Sequence, residues 1–549
     1  MKKDKSMRKS SFLNGAMVVT VGIVLTKILG ILYVIPFHAI IGDKGGALYG
    51  YAYTIYLLFM SLSTAGIPLA ISNIVSEYQT LGYYNIKKRA FIIGKKIACF
   101  LGFVSFLLLV LFAPLIAKLI LGDLTGGNTI DDVVFVIRVI ATAILIVPVL
   151  SIYRGYFEGH RFMRPPSISQ VLEQIVRVLV IVFGSYLTLK VFKLSLTTAV
   201  GIAVFGATLG AFASYIYLVN KKLKNKTKFN EKIRVVNEPI VTDKQIFKKI
   251  VFYAIPFIMI DVFKSLYSCI DVVTVVKSLV NDAYYSIFDA EVIMSMLSTW
   301  SAKFNMIVLS ISTGVIVSLI PNLTSSYVKK DKKEINKKIN QALNIILFFI
   351  IPMCIGISFL ARPIWILFYG NSTYGPSVLS YYIFVGLFTA LFTTALSIVQ
   401  VFRDYKTIFI SLISGVLLKA FLNTNLIIAF SKMGLPAYYG VISATIIGYF
   451  VSFVICLVGL YKKFDINYES VIKNFFDILC ASVLMIIVLY LFKFIIPIYS
   501  DNRIINLFII LGYFIVGAFT YLIYTYRSKT IRNIFGKKFV GILNLKGKK

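Results

Sequence analysis

Stretches of roughly 20 apolar residues recur at intervals of roughly 25 to 40 residues from one end of this chain to the other. Each stretch is long enough to cross a bilayer core about 30 Å thick as a single helix. The composition agrees, because 58% of the 549 residues are hydrophobic, only 15% are charged and the mean hydropathy is +0.86. A chain of this kind folds in lipid, which excludes the soluble classes of protein.

The apolar stretches predict an all-α membrane protein with about fourteen transmembrane helices. The expected spans are 11–37, 47–77, 90–119, 133–157, 167–190, 196–220, 250–278, 291–322, 340–368, 376–401, 407–430, 436–461, 471–497 and 503–526. Their boundaries are defined only to within a few residues.

The net charge of +34 would indicate nucleic-acid binding in a soluble protein, but the positions of the charges give another explanation. If the N-terminus is cytoplasmic, the inside segments hold 42 of the 57 lysines and arginines. The alternate loops carry aspartates instead: Asp43, Asp123, Asp131, Asp132, Asp282, Asp289 and Asp501. This is the positive-inside pattern, so we expect both termini in the cytoplasm and no nucleic-acid partner.

An internal repeat organises the chain at an offset of about 249 residues. Ser63–Thr64 in the second expected helix matches Ser312–Thr313 in the eighth, and the register continues into the basic loop that follows each helix. Six helices separate the two copies, so both run in the same direction and form a parallel repeat. We therefore predict two six-helix lobes followed by two extra helices.

This plan divides the chain into six segments. They are a basic cytoplasmic N-terminus (1–10), an N-lobe of helices one to six (11–220), a basic cytoplasmic linker (221–249), a C-lobe of helices seven to twelve (250–462), helices thirteen and fourteen (463–527) and a basic cytoplasmic tail (528–549). Transporters built this way bind substrate near the midplane and alternate access by moving one lobe against the other.

Charged residues inside the expected spans are the candidate site, because a charge at mid-helix costs about 2.5–3.5 kcal/mol unless a partner or cavity satisfies it. Three lysines, Lys27, Lys264 and Lys303, are the candidate substrate-binding cations. A cation-lined cavity attracts anions, and phosphate is the commonest anion on a lipid-borne cargo.

The remaining charges in the spans suggest ion pairs or an ion-coupling site. Asp261 lies one turn before Lys264, and Glu173 one turn before Arg177, so each pair can interact along its helix. Asp271 lies two turns further along than Lys264.

No cofactor or metal is expected. His38 and His160 are the only histidines, which argues against a histidine-based metal site. The five cysteines lie in apolar spans without CxxC spacing, and no catalytic motif occurs in a suitable setting. These absences favour a transporter over an enzyme.

Several strings resemble one known family: Ser11–Ala16, Thr26–Gly30, Ser63–Ser72, Arg154–Gly159 and Glu173–Val178. They are similar to the opening helix, the second helix and the fourth-to-fifth helix segment of the MurJ-like and stage V sporulation protein B-like branch of the multidrug/oligosaccharidyl-lipid/polysaccharide flippase superfamily. The resemblance is close in the first lobe. In the second it consists mainly of the helix count and of Pro321–Leu323.

The resemblance implies a flippase of the bacterial plasma membrane that moves an undecaprenyl-pyrophosphate-linked sugar, with lipid II the leading cargo, to the outer leaflet. It implies that Lys27 meets the pyrophosphate and that helices thirteen and fourteen form a groove for the polyprenyl tail. Membrane lipids and cell-wall synthases are the partners implied. Relatives with a Tyr-Arg-Ile-Pro string have arginine where this chain has Val34, so the resemblance implies a thinner cationic cluster here.

Three alternatives remain open from the sequence. The cargo could be another lipid-linked oligosaccharide, or the chain could be a cation-coupled multidrug exporter of the same superfamily. Cationic drugs favour a surplus of carboxylates, whereas the deep charges here are balanced by lysine. A membrane glycosyltransferase would need catalytic carboxylates on large loops, and the outside loops offer only Asp131–Asp132 as an adjacent pair.

Overall fold

The structure, a computed structural model, describes residues 25–64, 66–225 and 238–536. Regular structure in these ranges is helical throughout. Residues 25–32 are helical and lead into α1. The helices are α1 Val34–Thr64, α2 Ile67–Leu81, α3 Tyr84–Leu121, α4 Ile130–Gly159, α5 Arg164–Leu179, α6 Leu196–Lys224, α7 Asp243–Asn281, α8 Ile287–Ser295, α9 Ser301–Val328, α10 Lys332–Phe359, α11 Ala361–Tyr369, α12 Gly375–Val401, α13 Tyr405–Lys432, α14 Tyr438–Phe464, α15 Glu469–Phe492, α16 Arg503–Arg527 and α17 Thr530–Phe535.

Twelve helical stretches in the described part of the chain are long and apolar enough to cross a membrane. The all-α, multi-pass class predicted from sequence is therefore confirmed. Two of the fourteen expected spans are not among the twelve. The first span is described only from residue 25, and α7, 39 residues long, carries several charged side chains.

Two glycines with positive φ divide the first two expected spans. Gly42, at φ 63°, separates the first span from the second without an intervening loop, although the helix assignment runs through it. Gly66, at φ 73°, separates α1 from α2, whose second residue is Pro68. The left-handed region suits glycine because it has no Cβ, and the proline at the start of α2 needs no intrahelical donor. The second span is therefore a broken helix.

The chain forms two compact units, the first consisting of residues up to 280 together with 285–299. Its centre is α4, which packs on α1, α2, α3 and α6. Two glycines one turn apart allow α4 to approach α2 closely. A Cβ on Gly155 would overlap the carbonyl oxygen of Pro68, and one on Gly159 would lie 2.7 Å from that of Ser72. Small residues at this spacing are the usual means of close helix packing in membranes.

The helix α7 belongs to this first unit, although the repeat groups it with the following lobe. Its first residues are tied to neighbouring helix ends by charged pairs. Lys249 donates to Glu77 across 2.7 Å, and Arg89 pairs with Asp243. Further along, the hydroxyl of Ser265 lies 3.1 Å from that of Ser61 near the end of α1. The compact unit is thus larger than one copy of the predicted repeat.

The second unit consists of residues 281–284 and those from 300 onward. Its centre is α12, which packs on α9, α10, α11 and α14. The two final long helices, α15 and α16, pack on each other, and α15 also packs on α10. The hydroxyl of Tyr521 on α16 donates to the carbonyl oxygen of Phe348 on α10, 2.8 Å away. The C-terminal helices are therefore fixed to one side of this unit.

Candidate functional site

A buried cluster of three charges connects α4 and α5 in the first unit. Ser169, Glu173 and Arg177 follow each other at four-residue spacing, which places them on one face of α5. From α4, Arg154 donates to Glu173 across 2.7 Å and to the Ser169 hydroxyl across 2.9 Å. Arg177 donates to the second Glu173 oxygen at 2.5 Å. One carboxylate thus holds two arginines, and Glu158 lies within electrostatic reach of Arg154.

Four tyrosines from the first two spans surround the Arg177 end of this cluster. Tyr33, Tyr49 and Tyr56 are buried, with 3–7% of their surface exposed, and Tyr53 is half-buried. The rings of Tyr49 and Tyr53 stack with their centres 5.4 Å apart. All four tyrosines interact electrostatically with Arg177. The Nε atom of Arg177 has no hydrogen-bond partner among the described residues.

This arrangement can bind an anion or a sugar. A guanidinium group donates several hydrogen bonds in a fixed plane and matches the oxygens of a phosphate. Tyrosine hydroxyls add further donors, and their rings offer flat apolar surfaces. Glu173 keeps both arginine side chains oriented, because their exposure is only 17–19% and an unpaired buried charge is strongly disfavoured.

Lys27 lies on the helical residues 25–32, which contact α5. A Cβ on Gly30, one turn further along that helix, would lie 3.6 Å from the amide nitrogen of Gln174 on α5. Lys27 is half-buried and has no hydrogen bond or ion pair with any described residue. The structure therefore places this cation on a helix in contact with the one that carries Glu173 and Arg177.

The charges of α7 are more dispersed. Asp261 and Lys264 interact electrostatically, but no ion pair within 4.0 Å joins them in the described structure. Lys264 is half-buried and adjoins Ser265, which contacts the end of α1. Asp271 is half-buried a further two turns away, within electrostatic reach of Cys269. Ser265 thus joins this part of α7 to α1, the helix that carries Tyr49, Tyr53 and Tyr56.

In the second unit, Lys303 is half-buried on the first turn of α9. A deeper cation occurs on α13, where Lys419 is fully buried. Its ammonium group donates to the hydroxyl of Thr445 on α14. Asn423, one turn further along α13, is fully buried as well. This polar group is enclosed between the two helices.

An apolar cavity of about 530 Å³ lies in the second unit between α10, α15 and α16. Its lining includes Phe349, Pro352 and Met485, together with Tyr513 and Phe514. Nearly all of the lining atoms are carbon. Such a cavity accommodates a hydrocarbon chain and excludes a charged group.

Sequence reasoning missed Arg154, the four tyrosines and Lys419 as site residues. Arg154 is 19 residues from Glu173, so no helical spacing connects them, and the tyrosines approach Arg177 only through tertiary packing. Lys419 carried the same signal as Lys27, a lone lysine inside an apolar span. Among the described residues, no group of three or more metal-ligating side chains occurs.

Comparison with known proteins places this chain in a family. The family model described as "Polysaccharide biosynthesis protein" matches residues 12–312, more than half of the chain. The lipid II flippase MurJ of Bacillus subtilis is 33% identical over 544 residues, which cover 97% of this chain and 98% of that protein. The chain belongs to the polysaccharide biosynthesis protein family. The resemblance stated from its sequence strings is thereby confirmed.

Solved structures agree on the fold. A lipid II flippase MurJ in an inward closed conformation matches with a TM-score of 0.69, at 18% identity, over 94% of this chain and all of that one. An inward-facing MATE-family multidrug transporter of the MOP superfamily matches with a TM-score of 0.62, at 11% identity, over 81% of this chain and 98% of that one. The chain therefore has the helical transporter fold shared by these two groups.

Proposed function

We propose that this protein is a membrane transporter, not an enzyme, and that it flips lipid II from the inner to the outer leaflet of the bacterial plasma membrane by alternating access. The observation that carries the proposal is the 33% identity to a lipid II flippase over nearly the full length of both chains. The buried cationic cluster and the apolar cavity supply the two kinds of surface that an anionic lipid needs.

The pyrophosphate of the cargo would be bound by cations of the first unit. Lys27 has no partner among the described residues and lies on a helix that contacts α5. Arg177 keeps 19% of its side-chain surface exposed and interacts electrostatically with Tyr49, Tyr53 and Tyr56. We propose Lys27 and Lys264 as headgroup-binding residues and add Arg177 to them. Lys303 stays a proposed headgroup cation contributed by the second unit.

The polyprenyl tail would occupy the apolar cavity between α10, α15 and α16. The tail is a hydrocarbon that already lies in lipid, and a carbon-lined cavity suits it because no polar group of the protein would be left unpaired against it. The proposal thus gives tail binding to α15 and α16, which are the thirteenth and fourteenth spans expected from the sequence (residues 463–527). Asp261 and Asp271 remain candidates for ion coupling, and cell-wall synthases remain proposed partners.

The basic loops support a topology with both termini in the cytoplasm. In that topology the loops that begin α3 and α7 face the inner leaflet. A flippase for another lipid-linked oligosaccharide would use the same surfaces. The multidrug alternative is disfavoured because the first-unit cluster holds two arginines on one carboxylate, which repels cationic drugs.

The test is transport by purified protein in vesicles that contain lipid II, measured by access of an external reagent to the headgroup. We expect Lys27→Ala and Arg177→Gln each to slow flipping by about tenfold or more, since each removes a charged contact to phosphate. Mass analysis of the lipid should show no change, because a flippase changes the side and not the structure of its cargo.

Lys190→Ala is the matched control. Lys190 lies near the end of the same span as Arg177 but is exposed, so its removal should leave flipping unchanged. Normal flipping by both site variants would remove Lys27 and Arg177 from the site. Wild-type protein that fails to flip lipid II, or that changes its mass, would overturn the proposed function itself.

A further inference from the structure

Two recesses lie side by side on the first unit, where α3 passes the end of α6 and the start of α7. The first, about 720 Å³, is lined by Lys95, Lys96 and Lys222 together with aromatic rings. The second, also about 720 Å³, is lined mainly by apolar side chains of α3 and α7, such as Phe247. Both include Lys96 and Phe100, so they form one continuous surface that is cationic at one end and apolar at the other.

The cationic end has an excess of positive charge. Lys222 is held with its ammonium group 3.5 Å from the ring centre of Phe91, and it is repelled by Lys95 and Lys88. In the part of the chain that the structure describes, none of these lysines or Lys96 pairs with a carboxylate. Like charges gathered in this way favour binding of an anion, which would relieve their repulsion.

The carboxylate that lines this surface is already engaged. Asp243 lines the second recess, but its side chain pairs with Arg89. Arg89 also donates to the carbonyl oxygen of Val241 across 2.8 Å. The lysines of the first recess therefore keep their excess charge.

The length of α3 sets the depth of the surface in the bilayer. Its 38 residues extend about 57 Å, well beyond a hydrocarbon core of about 30 Å. Residues 97–121 alone extend about 37 Å and suffice to cross that core. Lys95 and Lys96 then lie at the level of the lipid headgroups, and the apolar recess below them lies at the level of the acyl chains.

We propose that these two recesses bind one anionic phospholipid, with its phosphate between Lys95, Lys96 and Lys222 and an acyl chain in the groove between α3 and α7. A soluble anion would use the lysines but not the adjoining groove. A zwitterionic phospholipid would use the groove but would not balance the lysine charge. The site is distinct from the cargo surfaces, since Lys27 and Arg177 do not line it.

A lipid bound here would act on α7. One wall of the groove is α3, and the other is the stretch of α7 that includes Val251 and Ile255. The same end of α7 is already held by Lys249 and Asp243. An acyl chain in the groove would fill the space between the two helices and brace α7 against α3.

The experiment compares lipid retention by the full-length protein in nanodiscs of phosphatidylcholine with and without phosphatidylglycerol, followed by mass spectrometry of the protein with its bound lipid. We expect one phosphatidylglycerol to be retained per protein. The variant Lys95→Gln/Lys96→Gln/Lys222→Gln should lower that retention by about tenfold or more, as three surface lysines each add to the attraction of an anionic lipid. Val251→Trp, which fills the groove but keeps the lysines, should lower it as well.

Lys333→Gln/Lys337→Gln/Lys406→Gln is the control, because it removes the same charge from exposed positions of the second unit. Equal loss in this control would reduce the effect to general surface charge and overturn the proposal. The proposal would also be overturned if inorganic phosphate displaced the lipid and Val251→Trp had no effect on retention. Those two results together would indicate a site for a soluble anion. Displacement by one equivalent of lipid II would show a cargo site instead. Each measurement is made without transport, so its result is independent of whether the protein flips lipid II.

Discussion

The two units bury positive charge by different means. The helices concerned occupy equivalent positions in the two copies of the predicted repeat. In the first unit, on the fifth span, Arg177 shares the Glu173 carboxylate with Arg154, and the three side chains keep 13–19% of their surface exposed. In the second unit, on the eleventh span, Lys419 is fully enclosed and donates to the Thr445 hydroxyl. The first arrangement is partly accessible and rich in donors, whereas the second is sealed between two helices.

The difference separates a binding surface from an internal support. The Arg177 side chain keeps 19% of its surface exposed, so its guanidinium group can exchange partners with a ligand. An enclosed ammonium group cannot reach a ligand unless its helices separate. We therefore expect Arg177, and not Lys419, to take part in cargo binding. The stability of the two clusters should also respond differently when a charge is neutralised.

The largest effect is expected from Glu173→Gln. This change leaves Arg154 and Arg177 without their shared carboxylate, so the free energy of unfolding should fall by about 3–5 kcal/mol. Thermal unfolding in detergent measures the loss, and hydrogen exchange should place it in α4 and α5. The exposed acid Glu469, changed to Gln, provides the same charge difference without a buried pair. Equal unfolding temperatures for the two variants would contradict the role given to Glu173.

An intermediate effect on stability is expected in the first unit when the pH is lowered. Burial lowers the pKa of His160 to about 4, despite the hydrogen bond of its ring to the Tyr156 carbonyl. The unfolded chain binds this proton near pH 6.5, so the stability contributed by neutral His160 is lost as the pH falls from about 6.5 to 4. Unfolding temperatures measured across this window should fall less steeply for His160→Gln. A parallel decline in both proteins would show that His160 is not the group responsible.

The smallest effect is expected from Lys419→Met. Methionine has a similar volume and removes the buried charge, and Thr445 keeps its hydrogen bond to the carbonyl oxygen of Val441 at 3.0 Å. The free energy of unfolding should change by about 1 kcal/mol or less. Lys432→Met, an exposed change on the same helix, is the reference for thermal unfolding. A loss as large as that of Glu173→Gln would remove the distinction between the two units.

Most of the helical plan could be predicted from the sequence because hydrophobic length alone fixes where a chain can cross a bilayer. The expected span 503–526 is observed as Arg503–Arg527, and 376–401 as Gly375–Val401. Local irregularities were harder to predict. The π-helical turns at Val180–Gly184 and Met296–Trp300 have no simple sequence signature, since ordinary helix-forming residues occupy them.

The candidate site was only half predictable for a related reason. Lys27, Glu173 and Arg177 stand out because charges are rare in apolar spans. Arg154 and Tyr56 belong to the site only through tertiary contacts. No regular spacing along the sequence predicts that they lie near Arg177. The grouping of α7 with the first unit is likewise decided by contacts at helix ends such as Lys249 with Glu77.

The close seam between α2 and α4 limits how this protein can move. With backbone oxygens of Pro68 and Ser72 seated against Gly155 and Gly159, the two helices interlock and cannot slide past each other without collision. Shear is thereby blocked, and the pair must travel as one block. Gly66, in its left-handed conformation just ahead of the seam, is then the natural pivot about which the preceding half of the span swings.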